Sequence, residues 1–560
     1  MLDVLIRGGT VVDGTGAPGR RADVGVRDGQ IVAVGEIDDD AAEVIDAGGL
    51  VVAPGFVDPH THYDAQLFWD PDATPSNLHG VTTVMAGNCG FTLAPLAPDD
   101  ADYLRRMMAK VEGMPLPALE TGVGWQWRSF GEYLDALDGN VALNVAFLVG
   151  HCALRRNVMG TDSIGNEATP EQLDAMVRLL HESLDAGGMG FSTTLSFTHS
   201  DGDGQPVASR WASRDEVLAL CATVREHEGT TLEYVTDGCL RGFSDDEIAL
   251  MGDMSLAGGR PLNWNVLTID GSEPERYRAQ VGACEQVYER GGKAIALTMP
   301  VLVEMNMSFR NYCALFMLPG WSDVMNLPVA ERIEKLKDPE TRRWMNERAH
   351  SPEAGVFSRL ASWGRYQIGD TYSRENEGLK GRVISDLAEA RNRGTFDTLL
   401  DIVINDELRT VLWPLPPDDD LKSWQLRAEA WEHPLVMLGG SDAGAHLDRM
   451  CGAPYTTAFL ADTLRGRQLV SLERAVHLIT QAPAELFGLR DRGVVREGYR
   501  ADLVVFDPDS VACDEVRLVD DLPGGASRLY AEAIGVQRVL VNGVTTVVDG
   551  KPTGARSGQV

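Results

Sequence analysis

The first 50 residues alternate short apolar runs with glycine turns, as in "DVLIRGGTVVDGTG", "ADVGVRDGQIVAVG" and "EVIDAGGLVVAPG". Strand-and-turn repetition with few helix signals predicts a small antiparallel sheet. The far end repeats the pattern in "ADLVVFDPDS" and "VQRVLVNGVTTVVDG". The two ends are expected to complete one small β-sandwich domain, residues 1–54 with 487–560, and to carry a larger domain between them.

In that larger part the apolar runs stop alternating. Eight are strand candidates: "FVDPHTH", "VTTVMAGNC", "ALNVAFLVGHC", "MGFSTTL", "TTLEYVTDG", "PLNWNVLTID", "KAIALTMP" and "PLVMLGGSDAG". Helical stretches separate many of them; "TPEQLDAMVRLLHESLDAG" opens on a Thr-Pro start signal and closes at Gly187. Strands buried on both faces read as continuous apolar runs, so the series predicts an α/β fold, a (β/α)8 TIM-like barrel over residues 55–486. One connection is far too long for a barrel loop. Between Pro300 and Pro434 lie Trp321, Trp344, Trp363, Trp413, Trp424 and Trp431, six of the eleven tryptophans. Residues 301–432 are therefore expected to form a helical insertion between strands seven and eight, with its own core. An insertion at that point is also expected to sit over the C-terminal mouth of the barrel.

Composition narrows the class of protein. The formal charge of −33 repels phosphate backbones, which argues against nucleic acid as a partner. No apolar stretch reaches the roughly 20 residues that span a bilayer, so no membrane partner is expected. Eight scattered cysteines without a C-x-x-C pair, and an opening "MLDVLIRGGT" that reads as strand and turn, predict a reduced, cytoplasmic protein. "GTGAPG" does not open a helix, and no nucleotide cofactor is expected.

Barrel active sites form at the C-terminal ends of the strands. His60 and His62 follow strand one, Cys89 strand two, His151 strand three and Asp442 strand eight, with His446 four residues on. Two histidines one residue apart can point the same way, and imidazole, thiolate and carboxylate together form a good zinc donor set. His79, His181, His227, His350 and His477 have no such context.

"PGFVDPHTHYD", "GVTTVMAGNCGFT", "GHCALR", "GMGFSTTLSF", "GSDAGAH" and the tail from "GYRADLVVFD" to "GARSG" stand in order along the chain. In these landmarks the chain resembles the amidohydrolase superfamily, and within it the N-acyl-D-amino-acid deacylase group. The resemblance implies a metal-dependent hydrolase that cleaves an amide C–N bond, with Cys89 at the position of that group's strand-two cysteine. It also implies two further histidines, on strands five and six, and a substrate-grasping lysine. Here Asp237 and Asn265 stand at the histidine positions and Leu267 at the lysine position.

Two site designs follow. In one, His60, His62, Cys89 and Asp442 hold a single Zn2+; in the other Asp237 joins as a ligand, Asn265 contributes weakly and two ions fit. Neutral amide oxygen is a poor zinc donor, which favours one ion. Asp442 is expected to act as general base and acid, with His151 or His446 donating to the oxyanion. The small-molecule substrate is expected to be an N-acyl amino acid or related amide. A neutral or cyclic amide or carbamate, and a catalytically silent barrel, are the alternatives. Arg155 and Arg310 are the candidate cations for a substrate carboxylate.

Overall fold

The computed structural model describes residues 1–311 and 313–560. The chain divides into two compact units, Met1–Val301 with Asp420–Val560, and Leu302–Asp419.

In the first unit both chain ends share one sheet. Val51–Pro54 pairs antiparallel with the C-terminal strand Leu503–Phe506, which is buried along its whole length. The expected all-antiparallel pairing is corrected at its centre. Leu2–Val11 runs antiparallel to Arg20–Arg27 but parallel to Ala41–Asp46 and Val51–Pro54. The reason is the stretch at residues 36–40, which leads back past the start of the first strand, where Leu2 N–H donates to Asp40 O (2.8 Å).

Each of the eight apolar runs contains a parallel strand: β1 (Phe56–Asp58), β2 (Val81–Ala86), β3 (Asn144–Phe147) with β4 (Val149–Gly150), β5 (Gly190–Thr194), β6 (Thr231–Val235), β7 (Leu262–Asn265), β8 (Ala294–Thr298) and β9 (Val436–Leu438). The third run is divided at Leu148. The strands pair in chain order, β1 to β3 in one ladder and β4 to β9 in the next. Helices fill the crossovers, among them Pro170–Asp185, Arg214–Val224, Asp245–Gly258 and Pro274–Glu289. The first of these starts on a capping box, in which Thr169 and Gln172 satisfy each other's backbone N–H groups. No ladder joins β9 to β1 among the described residues. The chain just beyond these two strands is nevertheless tied, by Asp442 N–H to His60 O (3.2 Å) and His62 N–H to Ala443 O (2.7 Å). The buried Asp58 carboxylate adds acceptors for Gly440 N–H and Ser441 N–H, each at 3.4 Å.

The second unit has its own core. Trp321 and Trp363 stack at 5.5 Å, with Phe396, Leu399 and Leu400 around them. It is mostly helical, with one short antiparallel pair, Tyr366–Ile368 and Leu412–Pro414. Four of the six tryptophans noted above lie in it; Trp424 and Trp431 sit on the helix Leu421–Trp431 of the first unit. No helix among the described residues is long and apolar enough to cross a membrane.

Candidate metal centre

Where β1 ends, the chain stays extended enough for its two-residue period to turn His60 and His62 inward and Thr61 the other way. Thr61 is pinned to β2, its N–H and Oγ1–H both donating to Met85 O (2.8 and 2.7 Å). The two imidazoles meet edge to face, and both are buried. Cys89 comes from the turn after β2. Its backbone is left-handed at φ +57°, unusual for a residue with a Cβ. Gly87 in the same turn has φ +77° and sits where a Cβ would lie 2.3 Å from Leu148 O, so only glycine fits.

Cys89 Sγ lies 3.6 Å from His60 Nε2 and 3.9 Å from His62 Nε2. Asp442 Oδ1 lies 3.1 and 3.5 Å from the same two nitrogens. Tetrahedral bonds of about 2.0–2.3 Å, usual for zinc with these donors, give donor-to-donor edges of about 3.3–3.6 Å. The spacing of His60, His62 and Cys89 is close to those edges, and Asp442 borders the two imidazole nitrogens without joining that trio. The ligand atoms of His60, His62 and Cys89 all lie within 4.8 Å of one another. The Asp442 side chain is 34% exposed and forms the open side.

The enclosure is rich in acids. Glu112 Oε2 lies 3.4 Å from His62 Nε2, and Glu233 accepts Cys89 N–H at 3.0 Å. Burial raises both carboxyls, Glu112 well above its ordinary range and Glu233 to about 7. Burial and the neighbouring carboxylates Glu233, Glu112 and Asp442 also push the Cys89 thiol well up. Burial would raise Asp442 too, but its bonds to His60 and His62 outweigh that and hold it well below its ordinary value. A divalent cation reverses this balance, because it stabilises thiolate and carboxylate together.

Neither Glu112 nor Glu233 was marked by the sequence reading. His199 was missed as well: its Nδ1 bonds Thr194 Oγ1 (2.8 Å), and its ring lies 5.2 Å from that of Phe91. Burial, then the nearby His62 and His446, push it down to about 3. His446 has φ +50°, donates its N–H to Glu112 O (2.5 Å), and is pushed by burial to about 4.

Two expectations are corrected by the geometry. Asp237 is not among the gathered donors; its carboxylate takes the Phe197 N–H (2.5 Å) and an ion pair with Arg241 (3.1 Å). Strand β6 ends at Val235, and Asp237 already has helical backbone at the head of Gly238–Arg241, so strand alternation no longer aims it inward. His151 is committed elsewhere: Nδ1 to Thr193 Oγ1 and Nε2 to Glu216 Oε1, both 2.8 Å. Arg155 grips the same carboxylate at 2.6 and 2.5 Å, which removes it as a cation for substrate. Arg310 belongs to the second unit. Asn265 donates to Glu233, and Leu267 is buried.

The Glu216 network yields a stability prediction. Burial would raise this carboxyl, but the bonds from His151 and Arg155 hold it below its ordinary 4.5. A depressed carboxylate stabilises the fold above its ordinary value, and that stability is lost as pH falls through the folded value. Glu216→Ala, which strands a buried guanidinium, is expected to cost about 3–5 kcal/mol in urea denaturation at neutral pH. Glu216→Gln is expected to flatten the fall in stability below about pH 4.5. An acid limb identical to wild type would show that this carboxylate contributes nothing to it.

The parallel sheet, the composite terminal sheet and the gathered His60, His62 and Cys89 define a class. A model of the Amidohydrolase family matches residues 43–553, and the chain belongs to that family. It is 29% identical to the D-aminoacylase of Alcaligenes xylosoxydans xylosoxydans, covering all of this chain and 97% of the relative. It is 30% identical to the N-acyl-D-aspartate deacylase of the same organism, covering all of this chain and 94% of that one. Among solved structures, the N-acyl-D-glutamate deacylase of Bordetella bronchiseptica, complexed with zinc and a phosphonate inhibitor, superposes with a TM-score of 0.64. It is 26% identical, over all of this chain and 99% of the other.

Proposed function

We propose that this chain hydrolyses the amide C–N bond of a small N-acylated substrate at a single-metal centre, within a closed (β/α)8 barrel. The observation that carries the reading is the gathering of His60, His62 and Cys89, whose donor types suit one zinc ion, with Asp442 beside the two imidazoles. The likeness to N-acyl-D-amino-acid deacylases supports it. His60, His62 and Cys89 would hold a divalent ion, which would supply Lewis-acid chemistry toward the scissile carbonyl and the attacking water.

The chain's own residues do the rest. Asp442 accepts the proton of the attacking water and delivers it to the leaving nitrogen. His446 and His199 offer ring N–H groups to the developing oxyanion, a role His151 cannot fill with both nitrogens already bonded. His60, His62 and Cys89 hold the ion and leave Asp442 on the open side.

A second substrate reading rests on the buried Leu267, which stands where the resemblance places a substrate-grasping lysine. Without that cation a neutral or cyclic amide or carbamate is favoured. A panel of N-acyl amino acids of both hands, their carboxamides and cyclic amides separates the two. Turnover of the acids over their carboxamides supports the N-acyl amino acid. The reverse order supports a neutral substrate, and no hydrolysis by zinc-loaded protein overturns both.

A further inference from the structure

Glu233 stands in the middle of a parallel strand and is fully buried, a position that ordinarily takes an apolar side chain. Its hydrogen-bond donors are all neutral: Cys89 N–H at 3.0 Å, the Ser192 hydroxyl and the Asn265 amide. A buried carboxyl paired with no cation costs stability, so packing alone does not account for it. What its bonds share is the turn that carries Cys89. Ser192, on the neighbouring strand and in register with Glu233, also accepts Gly90 N–H at 2.6 Å. Asn265 closes the other side from β7, where Val235 is its register partner. Strands β5 and β6 thus aim polar side chains at one short turn, and β7 braces Glu233 through Asn265.

That turn needs holding. Cys89 is left-handed without being glycine, a conformation unfavourable for a residue with a Cβ. On its opposite side Asn88 Nδ2 donates to Thr61 O (3.1 Å) and Met85 O (3.0 Å), which ties the turn to the His60–His62 segment. The Glu233 bonds are the matching tether from the strands across the sheet. We propose that Glu233 is a positioning residue for Cys89, fixing through the Cys89 N–H and Ser192 the direction from which the sulfur meets the two imidazoles. The proposal rests on the reading of Cys89 as a metal ligand.

The test uses the full-length protein titrated with Co(II) and followed by thiolate-to-cobalt charge-transfer absorption in the near ultraviolet. Glu233→Leu is expected to weaken Co(II) binding by about 10–100-fold and to lower the charge-transfer intensity per bound ion. Glu233→Gln, whose amide oxygen still accepts Cys89 N–H, is expected to fall between Leu and wild type. Wild-type affinity and intensity in Glu233→Leu would overturn the positioning role. Should that variant not fold, Ser192→Ala removes the Gly90 acceptor with a smaller change. The same direction of effect supports the proposal, and an unchanged spectrum overturns it. Absence of the band in wild type, or its survival in Cys89→Ser, would instead overturn Cys89 as a ligand, which separates the two failures.

Discussion

Replacing Asp442 by Asn is expected to lower the turnover of a hydrolysed amide by about 10²–10⁴-fold while the protein stays folded. Asparagine has nearly the same shape and tolerates the left-handed backbone that Asp442 adopts at φ +55°. What it loses is the negative charge and the capacity to take a proton and give it back. The comparison is to be made at equal metal loading, because the substitution also removes a carboxylate donor. Near-wild-type kcat at equal loading would remove Asp442 from the reaction.

The second large effect concerns the metal. Protein expressed with added zinc is expected to carry about one ion per chain, and the His60→Ala/His62→Ala variant close to none. The two imidazoles touch both of the other donors, at 3.6 and 3.9 Å for Cys89 and 3.1 and 3.5 Å for Asp442, so their loss disperses the whole set. Elemental analysis of the folded variants decides it. About two ions per wild-type chain would bring Glu112, beside His62, into the coordination sphere. Equal zinc in both proteins would place the ion elsewhere.

The strands were legible because parallel strands buried on both faces leave continuous apolar runs, and all eight runs contain one. His60 and His62 were legible for the opposite reason: a period of two survives just past the end of β1. At β6 the resemblance pointed to Asp237, at the position of a histidine. The strand had already ended at Val235, and the inward acid was Glu233, hidden inside an apolar run where its charge looked incidental. Glu112 gave no signal at all. It follows the helix Ala101–Val111 and reaches His62 only through the tertiary fold, so no local spacing marks it. The mixed pairing of the terminal sheet was likewise set by the path of residues 36–40 rather than by the strands themselves.

The left-handed backbone at Cys89, Asp442 and His446 also bears on how this centre can change over generations. Asn, Asp, His and Gly accept such a conformation, whereas Val, Ile and Thr are excluded by their branched Cβ. At these three positions a β-branched residue is therefore strained, while Asp and His remain tolerated donors. His60 and His62 carry no such restriction, since neither has a positive φ. Exchange of a donor at Cys89, Asp442 or His446 is thus filtered by backbone as well as by chemistry, whereas at the imidazole pair chemistry alone decides.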